Sequence, residues 1–107
     1  MIAGQQVTLE VTIEQCTDDE FPGWVQGSFV DALGRQHQFH EKAPILALSP
    51  VRWQTLPAKG SIRCTVVCAE QSNQGDRRLQ VDTRCPDGIE TIDGQHRFWV
   101  MSSQVST

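Results

Sequence analysis

The sequence predicts an all-β domain, and three features carry that reading. Glycines after Gly4 fall at 23, 27, 34, 60, 75, 88 and 94, most of them in polar or proline-containing turns. Between them lie short runs in which apolar and polar residues alternate, the period of a half-buried strand. Six or seven such runs fit into 107 residues, and closing them into one small barrel removes exposed strand edges. Three strands, a non-strand crossing and three more strands make the barrel OB-like or SH3-like. A small β-sandwich is the alternative that the pattern leaves open.

The first strand is the clearest: Val7, Leu9, Val11 and Ile13 alternate with Thr8, Glu10, Thr12 and Glu14. It ends in an acidic loop, Cys16 to Gly23. The second strand runs from Trp24 to Val30, and Asp31-Ala32-Leu33-Gly34 has the residues of a hairpin turn. The third, Arg35 to Glu41, places His37 and Phe39 on one face. Residues 42–60 break the rhythm. Pro44, Pro50 and Pro57 exclude a long strand, while Ile45, Leu46, Leu48 and Leu56 are too apolar for a free linker. The segment is expected to cross one end of the barrel with a helical turn, Trp53 packing against it.

The fourth strand, Ser61 to Glu70, sets Ile62, Cys64, Val66 and Cys68 on one face. A turn at Ser72–Asp76 leads to a fifth strand, Arg78 to Thr83, with Leu79 and Val81 inward. Another turn, Cys85–Gly88, precedes a short strand near Ile89–Ile92, and Asp93-Gly94 signals a hairpin into the last strand, Gln95 to Met101. The polar tail Ser102–Thr107 is expected to fray. No repeat or boundary divides the chain, so 1–107 is taken as one barrel domain.

Charge narrows the function classes. Thirteen acids against nine bases give −4, which argues against a nucleic-acid binder with its basic face. Residues 1–50 hold seven acids and two bases, whereas 51–107 hold six acids and seven bases. An acidic face is therefore expected on the first half. Met1–Gln6 has neither the basic n-region nor the apolar h-region of a leader, and the apolar stretch Ala43–Leu48 is too short to span a bilayer. The expectation is a cytoplasmic protein with reduced thiols and no membrane partner.

Catalytic and cofactor signals are sparse. On a strand, Cys64 and Cys68 stand roughly 13 Å apart, too far to share a zinc ion or form a disulfide; both read as small core hydrophobes. Cys16 and Cys85 sit at strand–loop junctions, where a disulfide between them is conceivable, and Arg84 beside Cys85 would favour its thiolate. His37 and His40 fall on opposite faces of their strand, which disfavours a shared metal. No phosphate-binding loop, nucleophile elbow, zinc-protease motif or calcium loop occurs. No cofactor, metal or catalytic residue is assigned, and the chain is read as leaning away from an enzyme.

Two features invite a partner. Asp18-Asp19-Glu20 places three carboxylates together, directly before Phe21, Pro22, Gly23 and Trp24. Carboxylates beside aromatic residues suit a basic protein partner. On the last strand, Arg97, Trp99 and Met101 share the face opposite His96, Phe98 and Val100, so both faces are partly apolar. Asp18, Asp19, Glu20, Phe21, Trp24, Glu41 and Trp99 are the candidate partner-binding residues. The expected function is a non-enzymatic binding protein, such as an immunity-type inhibitor of a basic protein. The alternatives are a ligand-binding or enzymatic barrel using Cys85, His37 or His96, and a homodimer through the Trp99 strand rather than a monomer.

Two stretches also carry a resemblance. Pro22-Gly23-Trp24, Asp31-Ala32-Leu33-Gly34 and Lys42-Ala43-Pro44 form one, and Pro86-Asp87-Gly88-Ile89 through Phe98-Trp99-Val100 the other. Together they resemble a group of small uncharacterised bacterial all-β proteins with PGW, DAxG, KxP and PxGI elements. The resemblance implies a bacterial stand-alone domain and transfers no activity.

Overall fold

The computed structural model describes residues 1–47, 53–71, 75 and 77–107, with the backbone alone at Trp53. The elements are β1 (Gln6–Asp18), β2 (Trp24–Val30), β3 (Gln36–Lys42), the helical turn α1 (Ala43–Leu46), a 3-10 turn (Trp53–Thr55), β4 (Ala58–Gln71), β5 (Arg77–Asp82), β6 (Arg97–Met101), a second 3-10 turn (Ser102–Gln104) and β7 (Val105–Ser106). All pairings are antiparallel, in the order β3-β2-β1-β4-β5-β6, and β7 adds to β1. The sheet curls into a half-barrel, so the small all-β barrel read from the sequence describes the fold.

β1 is the spine. Gln6 to Ile13 pair with β4, Thr8 and Leu9 also pair with β7, and Thr12 to Asp18 pair with β2. Its inward row, Val7, Leu9, Val11 and Ile13, is fully buried; burying each such side chain stabilises by about 1.5–3 kcal/mol. The strand does not stop at Glu14. Irregularities between Ile13 and Gln15 and between Cys16 and Asp18 carry the pairing on to Trp24, as bulges bend and twist a strand without ending it.

No ladder joins β3 to β6. Aromatic rings fill that side instead: Phe98 of β6 meets Phe29 at 5.2 Å, His37 at 4.6 Å and Phe39 at 6.1 Å between ring centres. Two backbone bonds lie alongside, from Ala32 N–H to the Trp99 carbonyl (2.8 Å) and from Ile92 N–H to the Gln38 carbonyl (3.0 Å). α1 packs against β4, with Ala43 and Leu46 buried and Pro44 in its first turn, where a missing N–H costs nothing. The approach requires Gly60, since a Cβ there would lie 2.7 Å from the Leu46 carbonyl and 2.8 Å from Ile13.

Three expectations are corrected. The tail does not fray: Gln104 Nε2 donates to the Val30 carbonyl, and Val105 is buried where β7 meets β1. Ile89–Ile92 is not a strand; it is irregular chain, with Ile89 and Thr91 buried and the Thr83 hydroxyl donating to the Ile89 carbonyl. Cys68 is not a core residue. A bulge between Val66 and Cys68 shifts the alternation, so Cys64 is buried and Cys68 exposed. Residues 48–52, the packing of Trp53, and most of the turn expected at Ser72–Asp76 lie outside the described residues.

Candidate functional site

The β1–β2 connection is a built turn. Gly23 N–H donates to the Glu20 carbonyl (2.6 Å) and Glu20 N–H to Asp18 Oδ1 (3.0 Å). Gly23 takes φ +83°, a conformation that glycine adopts without steric cost. The turn holds Asp18, Asp19 and Glu20 in solvent and leaves Phe21 98% exposed. Among the described residues, none of these three carboxylates forms an ion pair.

Trp24 lies between Asp18 and Lys42 in the register and faces outward, because its neighbour Val25 is fully buried. Its ring is half-buried: His40 packs on it at 5.2 Å and Lys42 Nζ lies 6.0 Å from its centre. Thr17 Oγ1 hydrogen-bonds His40 Nε2 at 2.7 Å and donates to the Trp24 carbonyl at 3.3 Å. Thr17, His40 and Lys42 thus belong to this surface, although no sequence motif marks them; they meet only through the strand register.

Glu41 and Trp99 do not join it. Glu41 lies opposite Val25 on the inward row and is half-buried. Burial pushes its carboxyl above the ordinary range, against the opposing pull of His40 and Lys42. Trp99, half-buried, lies beside the β2–β3 turn through its carbonyl's bond to Ala32. Trp24 and Val30 are the opposite ends of β2, about 20 Å apart along an extended strand. The seven candidates therefore occupy three separate places: the hairpin end, the inward row at Glu41, and the opposite end of the sheet at Trp99.

Two of the three histidines, His37 and His96, are tied to buried aspartates. His37 Nε2 donates to Asp31 Oδ2 at 2.7 Å, and Asp31 Oδ1 accepts the amides of Leu33 (2.9 Å) and Arg35 (3.0 Å). Burial alone would raise the Asp31 carboxyl; His37 and the two amides outweigh it and hold it below the usual range. Asp82 repeats the device. Burial is overcome by the Arg84 amide, His96 Nδ1 and Arg97 Nε, at 2.9, 3.0 and 3.2 Å, and its carboxyl is likewise lowered. Burial, and the negative charge of Asp82, push the Cys64 thiol up to about 12.

Cys85 is exposed beside Thr65, whose hydroxyl donates to its carbonyl. Thr65 faces Gln6 at the start of β1, whereas Cys16 lies near its end, roughly 30 Å along the strand. All four cysteines are free, and the conceivable Cys16–Cys85 disulfide is not formed. Among the described residues, no three His, Cys, Asp or Glu side chains are arranged to hold a metal, and no helix is long and apolar enough to cross a membrane.

Comparison of the chain with family models, curated proteins and solved structures finds no significant match.

Proposed function

We propose that the protein is a non-enzymatic binding protein whose acidic hairpin end, Asp18–Trp24, docks on a basic protein partner, in the manner of an immunity-type inhibitor. The observation that carries this reading is Phe21. Folding builds a hydrogen-bonded turn, yet leaves this phenylalanine 98% exposed beside three carboxylates that no described base engages. An aromatic ring that gains nothing from the fold gains about 1.5–3 kcal/mol when a partner covers it. The surrounding charge speeds the encounter with a basic surface. Trp24, in contact with His40 and Lys42, forms the base of the hairpin.

The test is affinity capture from the native cell by the parent chain, by Phe21→Ala and by Asp18→Lys/Asp19→Lys/Glu20→Lys. The parent retains a basic protein at low salt and releases it as salt rises. Phe21→Ala weakens retention about tenfold, which corresponds to about 1.4 kcal/mol, and the charge reversal abolishes it. Equal retention by all three chains overturns the proposal.

A further inference from the structure

The sheet ends in two edge strands, and they are finished differently. On β6, the outward Trp99 carbonyl accepts Ala32 N–H and the Met101 N–H is capped by Gln104 Oε1 at 2.8 Å. A strand added there would have to displace the chain's own bonds. On β3, the bonds from Ala43 N–H to the Gly23 carbonyl and from Asp31 N–H to the Arg35 carbonyl show that odd-numbered residues face β2. The backbone groups of Gln36, Gln38, His40 and Lys42 therefore point to the free side. Among the described residues, only the Gln38 carbonyl is taken there, by Ile92 N–H. Among the described residues, the edge groups of His40 and Lys42 have no backbone partner, and both residues are exposed.

We propose that this edge receives an extended basic segment of the partner as an added strand, bonded to His40 and Lys42. The inference rests on the docking reading above and specifies its mode. Backbone pairing supplies affinity without a sequence requirement, and charge supplies direction. Lys42, Trp24 and Asp18 lie in one cross-strand row, so the acidic hairpin shares this end of the sheet and stands about 10 Å, two strand spacings, from the end of the edge. The Lys42 ammonium is turned over the Trp24 ring. At the other end, a shallow cleft of about 440 Å³ lined by Gln36, His37, Gln38, Ile92 and Asp93 offers room for a side chain. Arg35 and Asp93 offset each other at that end, so the segment's basic residues sit toward the three carboxylates Asp18–Glu20. Ile92 N–H already occupies the Gln38 carbonyl, so the added strand pairs at His40 and Lys42 and the edge is closed beyond them.

The experiment uses the full chain and two probes: a ten-residue peptide of alternating lysine and valine, and the same peptide N-methylated along its whole backbone. Both carry the same charge, and only the first can pair as a strand. Amide hydrogen exchange is followed by NMR at each residue. The expected result is at least tenfold slower exchange at His40 and Lys42 with the first peptide and no change there with the second. Equal behaviour of the two peptides, whether both bind or neither does, overturns strand addition. The docking reading is judged separately, by capture with the hairpin variants, which leave the β3 edge intact.

Discussion

Asp31 and Asp82 differ from Asp18, Asp19 and Glu20 in what the fold does with a carboxylate. The first two are buried, and each accepts backbone and side-chain donors on both oxygens. The other three stand in solvent with no ion pair among the described residues. The contrast teaches that the net charge of −4 is not one property. Part of it is engaged in holding turns and histidines, and part is left free at one hairpin.

The strongest way to break the comparison is to remove one carboxylate of each kind. Asp31→Ala strands His37 among aromatic rings and frees two turn amides. It is expected to lower stability by about 3 kcal/mol, since the loss of one partner of a buried charged pair leaves the other unsatisfied. The measurement is the urea midpoint at constant slope. The hairpin variant Asp18→Asn/Asp19→Asn/Glu20→Gln, measured alongside, is expected to keep the parent's midpoint. A loss of similar size in both chains would erase the distinction.

The same contrast explains what the sequence could and could not show. The alternation in β1 and the opposite facing of His37 and His40 follow from a period of two, and the Asp31–Gly34 turn from its residue types, so each is legible residue by residue. Bulges are not, because they depend on which strand pairs alongside. One at Val67 turned Cys68 outward against its pattern. Nor could the ordered tail be read, since Ser102–Thr107 is polar and Val105 becomes buried only once β1 offers it an edge. The free hairpin carboxylates and Phe21 were visible as a run. Their separation from Trp99, and the open edge of β3, required the strand order.

A second, smaller effect sharpens the comparison through pH. The Asp31 and Asp82 carboxyls titrate below the ordinary range in the folded chain, so the unfolded chain takes up their protons first. Their contribution is complete above about pH 4, the unfolded value for aspartate, and is lost as pH falls further. The urea midpoint of the parent is expected to fall between pH 5 and pH 3 more steeply than that of Asp31→Asn/Asp82→Asn, whose side chains cannot titrate. Parallel curves for the two chains would mean that these aspartates do not set the acid limit.

Glu41 tests the boundary between the two kinds. It is half-buried, between the buried pair and the exposed three, yet among the described residues it accepts no hydrogen bond, so burial raises its carboxyl with no donor to outweigh it. Its ionised form is therefore disfavoured by folding, the reverse of Asp31. Glu41→Gln keeps the shape and removes the charge. It is expected to raise the melting temperature at pH 7 by about 1–2 °C, a small shift for a domain of this size. The gain should vanish near pH 4, where the parent's Glu41 is itself protonated in the fold. A loss of stability at pH 7 would show that the Glu41 charge is engaged after all and belongs with Asp31 and Asp82. The gain would mark it as a carboxylate that the fold tolerates without using, on the inner row of β3.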